Sequence, residues 1–121
     1  LSAADAGYVN AHGPPTRIGY PVECAALAAG WCSDLPGLRV SSTKALHGHL
    51  LGAAGALEAV ITVMALHERR LPPNAHGMQP DPACAVPLVP GTGLEASALT
   101  AAISNSFAFG GTNSVLLFAR D

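Results

Sequence analysis

The chain has 121 residues, of which half are apolar and only 12% are charged. An average domain carries about 25% charged residues. The length suits one domain with one sizeable core, covering residues 1–121. The formal net charge of −2 argues against nucleic acid as a partner, because no basic surface is available to meet phosphates. Since few polar residues remain for the outside, we expect a partner or another part of the same protein to cover much of the surface.

The cysteines and the apolar runs bear on the compartment. Cys24, Cys32 and Cys84 form no Cys-x-x-Cys pair, so we expect reduced, structural thiols in a cytoplasmic protein. No signal-peptide pattern opens the sequence. The longest apolar run, residues 50–66, is interrupted by glycine and polar residues and falls short of the roughly 20 residues that a bilayer span needs. We interpret it as a buried helix.

The first half of the chain alternates between predicted strands and helices. Residues 7–11 predict a short strand that ends at two prolines. Thr16 is the expected cap of the following helix, which should end at Gly30. Residues 38–42 predict a second strand. Residues 50–70 then predict a helix that is apolar on nearly all faces and is therefore central.

The second half predicts a surface segment and a strand pair. Residues 74–97 are rich in proline, glycine and alanine, with a candidate edge strand at residues 86–89. Residues 99–104 and 113–118 predict two antiparallel strands joined by a Phe-Gly-Gly loop. This order predicts an α/β fold, in which a layered mixed sheet carries a buried central helix and a C-terminal antiparallel strand pair.

Three motifs hold the candidate catalytic and binding residues. They are Asn-Ala-His-Gly at residues 10–13, Lys-Ala-Leu-His-Gly-His at residues 44–49, and Asn-Ser-Phe-Ala-Phe-Gly-Gly-Thr-Asn at residues 105–113. Imidazole N–H groups and a glycine-bounded backbone can stabilise negative charge on an acyl group. None of the three cysteines has the helix N-terminus or nearby cation that activates a thiol, so the motifs lack an obvious nucleophile.

Metal binding is a weaker interpretation of the same histidines. His12, His47 and His49 would meet the ligand count of some zinc sites. No carboxylate or cysteine lies in the same motifs, and we predict no metal site.

In this order, the three motifs closely resemble the C-terminal half of the β-ketoacyl-acyl carrier protein synthases, the condensing enzymes of fatty acid and polyketide synthesis. The resemblance covers nearly the whole chain. It implies the second half of a thiolase-like fold, and it places the nucleophilic cysteine on an N-terminal half that this chain lacks. The implied reaction is the decarboxylative Claisen condensation of an acyl thioester with malonyl-acyl carrier protein. It needs no bound cofactor, since the carrier protein brings its own phosphopantetheine arm.

The resemblance also implies roles for individual residues. His12 and His49 are the implied catalytic histidines, whose N–H groups would stabilise an enolate oxygen. The start of the predicted helix after His49 favours a neutral ring there. Lys44 is implied to join them in the active site, with Glu23 as the supporting carboxylate of an ion pair.

The phenylalanine loop corresponds to the family's gating loop. Phe107, Phe109, Gly110 and Gly111 are the implied oxyanion and gate residues, and Phe109 would lie beside the nucleophile. The family usually has glycine where this chain has Ala108, which predicts reduced loop mobility because alanine avoids positive φ.

Two further departures from the family concern the carrier arm. The family usually reads Thr-Gly-Thr-Pro after His-Gly. Here Pro14 replaces the first threonine and removes both a hydroxyl and an N–H, which leaves Thr16 as the implied pantetheine-binding residue. Tyr20 stands where aspartate is usual, which hints at an altered entrance or partner surface.

Three functional hypotheses stay open from the sequence. The chain is the C-terminal part of a condensing ketosynthase and is inactive alone, or a non-catalytic partner of the chain-length-factor type, or a carrier-protein docking module. Expected partners are an N-terminal ketosynthase half on the same or a separate chain, acyl carrier protein, and a second subunit in a homodimer or heterodimer, with no nucleic acid or membrane. The start at Leu1 without methionine favours a fragment or processed product, beside a split subunit or an expressed domain.

Overall fold

The computed structural model describes residues 1–13, 18–74, 81–82 and 84–121. Its helices and strands, in chain order, are β1 (Ala6–Asn10), α1 (Gly19–Trp31), β2 (Arg39–Ser41), α2 (Lys44–His47), α3 (Ala54–Glu68), β3 (Arg70–Leu71), β4 (Leu94–Glu95), β5 (Ala101–Phe107) and β6 (Asn113–Ala119). Four of the strands form the main sheet in the order β2-β1-β5-β6.

The main sheet is mixed, as the sequence predicts. Strand β1 pairs in parallel with both β2 and β5, with Val9 opposite Val40 on one side and Ile103 on the other. Strands β5 and β6 form the predicted antiparallel pair. Across the sheet, the connection from β1 to β2 runs in one direction and the connection from β2 to β5 runs in the opposite direction. Because crossovers between parallel strands are right-handed, α1 and α3 must lie on opposite faces of the sheet.

The core confirms this three-layer arrangement. Alternate residues of β1 face opposite sides, so Val9 joins one apolar cluster with Leu27 of α1. Tyr8 joins a second cluster with Leu66 of α3. Both β1 residues are 0% exposed, since the strand is covered by helices on its two faces.

The prediction that residues 74–97 form only a surface excursion is wrong. Val89 is 1% exposed and belongs to the core. The backbone of Val40 in β2 accepts a bond from Val89 N–H (2.9 Å) and donates one to the carbonyl of Pro87 (2.9 Å), so this segment lies along the edge of the sheet. The candidate edge strand is reduced to an isolated parallel bridge between Val40 and Leu88. The antiparallel pair of β3 and β4 was not predicted.

Helix α3 buries one face and exposes the other. Its buried residues include two polar ones, Glu58 and Thr62. The opposite face leaves Val60, Val63 and Met64 exposed by 60%, 44% and 49%. By length and composition alone, residues Leu51–Glu68 are the one helical segment of the described chain that is able to cross a membrane, a test that core helices of soluble proteins also pass. Here the helix packs against β5 and β6.

The cysteines differ from the prediction of reduced thiols. Cys24 on α1 and Cys84 are paired as a disulfide, with Cα atoms 5.4 Å apart. Both are buried in the apolar cluster on the α1 side of the sheet. Only Cys32 is free, and it is exposed. The sequence did not predict the pair because 60 residues separate the two thiols.

The loop after β1 approaches the end of β2 at Gly13, which has a φ of +50°. A Cβ at this position would overlap the Cβ and Oγ of Ser42. We therefore expect Gly13→Ala to lower the free energy of unfolding by about 2–4 kcal/mol, through backbone strain and overpacking. Urea denaturation monitored by circular dichroism measures the change.

Gly37→Ala is the matched control, since no atom lies within 4 Å of a Cβ built there. Adding Ser42→Gly to Gly13→Ala should recover the steric part of the loss. Equal stability of the Gly13→Ala and Gly37→Ala proteins would contradict this account of the contact.

Candidate functional site

Three parallel strands deliver the candidate residues to one edge of the sheet. His12 follows the end of β1, Lys44 and His49 follow β2, and Phe107 is the last residue of β5. Because β1 is parallel to β2 and β5, the carboxyl ends of all three strands meet at the same edge. In open α/β sheets this edge is where ligands bind.

The two predicted histidines converge there. The ring centroids of His12 and His49 are 5.6 Å apart, and the rings meet edge to face at 81°. The ring of Phe107 lies 5.7 Å from that of His12. An oxygen that accepts two N–H bonds of about 2.9 Å each can bridge nitrogens up to about 5.8 Å apart. The separation of the two ring centroids is of the same order.

The backbone fixes the tautomer of His49. Its Nδ1 accepts a hydrogen bond from the N–H of Leu51 at 3.1 Å. A ring nitrogen that accepts cannot carry a proton, so the neutral ring holds its hydrogen on Nε2. Leu51 opens the short 3-10 turn Leu51–Ala53 that leads into α3. His49 itself is exposed. Its Nε2–H is therefore free to donate to a substrate.

The environment of His12 favours the neutral ring. Burial lowers the pKa of His12 first, and the positive charge of Lys44 lowers it further. Glu58 acts in the opposite direction, and His49 adds a smaller lowering effect. A neutral imidazole donates one N–H and adds no net charge to the site, which suits a donor to a developing oxyanion.

Glu23 has a different role from the predicted one. Its carboxylate accepts the backbone N–H groups of His12 (2.9 Å) and Gly13 (2.8 Å) and the side-chain amide of Asn105 (3.1 Å). The prediction that it pairs with Lys44 is wrong. Glu23 instead ties α1 and the end of β5 to the loop that carries His12. The reason is geometric, since two consecutive N–H groups of that loop point at the start of α1.

The partner of Lys44 is Glu58, which the sequence did not identify as a site residue. Lys44 Nζ and Glu58 Oε1 form an ion pair, with 5% and 1% of their side chains exposed. Glu58 also brings Asn10 into this region, because its backbone carbonyl accepts a bond from Asn10 Nδ2 at 3.3 Å. One signal was available: a lone acidic residue in the middle of an apolar helix needs a buried partner.

The phenylalanine loop divides into an inner and an outer part. Phe107 lies against His12, whereas Phe109 is fully exposed on the turn Phe109–Gly111. Gly110 and Gly111 both have positive φ, of 77° and 78°. Ala108 has φ −131° and ψ 169°, an extended conformation that alanine adopts without cost. The prediction that Ala108 reduces loop mobility assumed a positive φ, and it does not apply to this conformation.

The residues predicted to meet the carrier arm lie mostly outside the described part of the chain. Pro14 and Thr16 fall among residues 14–17, which are not described, and so does the predicted helix cap. The described helix α1 begins at Gly19 with Ile18 as its N-cap and without a side-chain capping bond. Tyr20 packs against the apolar cluster on the α1 side of the sheet, and burial raises the pKa of its hydroxyl.

The third histidine does not join the other two. Both ring nitrogens of His47 contact protein oxygens, Nδ1 the carbonyl of Gly48 (2.7 Å) and Nε2 the hydroxyl of Thr43 (3.1 Å). Among residues 1–13, 18–74, 81–82 and 84–121, no group of three histidine, cysteine or acidic side chains is placed to hold a metal ion.

Comparison with known proteins identifies the family. Residues 1–78 match the family model described as "Beta-ketoacyl synthase, C-terminal domain". The chain belongs to this family. This ketosynthase C-terminal domain is 42% identical over 113 residues to 3-oxoacyl-[acyl-carrier-protein] synthase 2 of Coxiella burnetii, covering 93% of the chain and 27% of that relative. It is 39% identical to the enzyme of the same name from Staphylococcus aureus strain COL, covering 99% of the chain and 29% of that relative.

Solved structures share the fold. The ishigamide ketosynthase/chain length factor superposes with a TM-score of 0.89 at 30% identity, over 98% of this chain and 29% of that one. A type II polyketide synthase acyl-carrier protein in complex with its ketosynthase gives 0.92 at 27% identity, over the same shares. The ketosynthase C-terminal domain thus spans less than a third of each of these four proteins.

The environment of His12 predicts a measurable titration. We expect its NMR titration midpoint to fall below the ordinary pKa of 6.5, because burial and Lys44 disfavour the charged ring. The unfolded chain then binds more protons than the folded chain near pH 6, so this group makes folding less favourable as the pH falls through 6.5. A His12→Asn variant assigns the signal. A midpoint at or above 6.5 would contradict the described environment.

The buried ion pair predicts strong coupling between its partners. Lys44→Met and Glu58→Leu should each lower the free energy of unfolding by about 3–5 kcal/mol, because each leaves an unpaired buried charge. The double variant should lose much less than the sum. Urea denaturation of all four proteins measures the coupling. Additive losses would show that the two side chains do not interact.

The exposed pair Arg70–Glu95 provides the control, with a nitrogen–oxygen distance of 3.7 Å and side chains 67% and 80% exposed. Arg70→Met should cost about 1 kcal/mol or less, as surface ion pairs do.

Proposed function

We propose that this chain is the C-terminal part of a ketosynthase that condenses an acyl thioester with malonyl-acyl carrier protein in fatty acid or polyketide synthesis. The observation that supports this most strongly is the convergence of His12 and His49 at the carboxyl edge of the sheet, with ring centroids 5.6 Å apart. The names of the relatives support the same class of reaction, since both are 3-oxoacyl-[acyl-carrier-protein] synthases. The protein would act in the cytoplasm, a compartment in which a disulfide such as Cys24–Cys84 is uncommon.

The proposed reaction divides the chemistry between two parts of the enzyme. A cysteine on an N-terminal half, which would complete a thiolase-like fold, holds the acyl group as a thioester. The bond between the malonyl carbon and its carboxylate breaks, carbon dioxide leaves, and the electron pair becomes an enolate. The enolate carbon then attacks the acyl carbonyl, and the cysteine thiolate leaves. The products are the 3-oxoacyl thioester on the carrier, carbon dioxide and the regenerated cysteine.

His12 and His49 would act on the enolate. Each neutral ring donates one N–H to the thioester oxygen as negative charge develops there. Lys44 is held near His12 by Glu58, and its charge favours the neutral form of that ring. Burial and, after it, Lys44 thus keep His12 in the state that a donor needs.

The loop residues would complete the site. Phe107 packs beside His12, while the exposed Phe109 would gate the approach to the nucleophile on the N-terminal half. Gly110 and Gly111 let the main chain come close to a thioester. Thr16 would contact the phosphopantetheine arm, and no other cofactor is proposed. The partners of the complete enzyme would be acyl carrier protein and a second subunit.

A hybrid enzyme tests this function. The matching C-terminal segment of the Staphylococcus aureus relative is replaced by this chain, which covers 29% of that protein. We expect the purified hybrid to release carbon dioxide from malonyl-acyl carrier protein and to form the 3-oxoacyl product. The 121-residue chain alone should form none.

Substitutions in the hybrid locate the activity. His49→Ala should lower the rate of carbon dioxide release about 10²–10³-fold, as loss of one oxyanion donor does. His67→Ala is the matched control, since its side chain is 73% exposed and lies outside the site. A folded hybrid that binds the carrier protein without releasing carbon dioxide would overturn the proposal. It would favour a partner of the chain-length-factor type or a docking module.

A further inference from the structure

His47 holds the peptide bond that carries His49. It is the last residue of α2, and its Nδ1 lies 2.7 Å from the carbonyl oxygen of Gly48. That carbonyl belongs to the peptide group whose nitrogen is His49. The other ring nitrogen of His47, Nε2, lies 3.1 Å from Oγ1 of Thr43, the residue that precedes α2. The ring therefore spans the short helix from its N-cap to the residue after its end.

The partners of His47 determine its protonation pattern. A carbonyl oxygen only accepts, so Nδ1 must carry the hydrogen. In the neutral ring Nε2 then accepts from the hydroxyl of the buried Thr43 at 3.1 Å, which takes the place of that hydroxyl's longer contact with Asn10 Oδ1 at 3.5 Å. His49 has the opposite tautomer, because its Nδ1 accepts a backbone N–H. The two neighbouring histidines are thus fixed in complementary states, and only His49 presents an N–H to the site.

Gly48 needs this restraint because little else fixes its conformation. Its φ of 81° lies in the region that glycine enters freely, and no atom lies within 4 Å of a Cβ built there. Its N–H donates to the carbonyl of Lys44 at 2.7 Å. The His47 ring binds the carbonyl group of the same glycine. Together the two bonds set the direction in which the chain enters His49.

We propose that His47 is a positioning residue for His49, acting through a hydrogen bond from its Nδ1–H to the Gly48 carbonyl. The inference rests on the proposed function, in which His49 donates to the enolate oxygen. A ring that is misplaced relative to His12 donates poorly, because hydrogen bonds weaken steeply with angle. The lost interaction should then slow the step that uses His49 without weakening carrier binding.

Substitutions that imitate one ring nitrogen at a time test the proposal in the hybrid enzyme. Asparagine places an amide N–H near the position of Nδ1, glutamine places one near Nε2, and leucine offers neither. We expect His47→Leu and His47→Gln to lower kcat for malonyl decarboxylation about tenfold with KM unchanged. His47→Asn should stay within about twofold of the unsubstituted hybrid. Equal rates for His47→Asn and His47→Gln would overturn the inference, as would rates that follow only the loss of thermal stability.

A spectroscopic readout separates this inference from the proposed function. Histidine ¹⁵N shifts of the hybrid report which ring nitrogen of His49 carries the proton, whether or not the enzyme turns over. We expect the Nε2–H form in the hybrid and in His47→Asn. In His47→Leu the His49 ring should be displaced from the Leu51 N–H that fixes its tautomer, which gives a mixture of tautomers. Unchanged shifts in His47→Leu would overturn the positioning role. An inactive hybrid with the expected shifts would instead count against the proposed function alone.

Discussion

The parallel pairing of β1 with both of its neighbours is the constraint on which the site depends. It places the carboxyl ends of β1, β2 and β5 at one edge of the sheet, so three segments distant in sequence meet there. His12 lies in the loop directly after β1, and His49 follows β2 after the short helix α2, which leaves the two ring centroids 5.6 Å apart. A slip of one residue in register would turn every side chain of the affected strand to the other face.

Buried polar groups then hold these loops in place. Glu23 fixes the loop of His12 through two backbone N–H groups, and the Lys44–Glu58 pair joins α2 to α3. Each such group costs free energy to bury and must be matched by a partner. Because the partners come from different elements, these interactions specify how helices and loops sit on the sheet. The apolar clusters supply the general stabilisation, and the polar contacts select one arrangement.

The sequence predicted the helices and strands better than it predicted which side chains pair with each other. Period and turn residues located β1, α1, β2, α3, β5 and β6, because each is long enough or regular enough to leave a pattern. The resemblance of the motifs to the ketosynthase family also implied which histidines meet. Spacing along the chain could not tell which carboxylate reaches Lys44, because Glu23 and Glu58 lie on opposite sides of it in sequence. That choice depends on the faces on which α1 and α3 pack.

Two other errors come from the composition of one segment and from the shortness of two strands. Residues 74–97 resemble a surface segment because proline, glycine and alanine are frequent there, yet Val89 fills the core beside β2. The strands β3 and β4 have only two residues each, too few for alternation to be visible. The low charge content was more informative, since it predicted a surface that needs covering. Val60 and Met64 on α3 and Val115 and Leu117 on β6 stay exposed in this chain. These uncovered apolar faces, together with the exposed Phe109, are what a domain needs if a larger remaining portion of a ketosynthase packs against it.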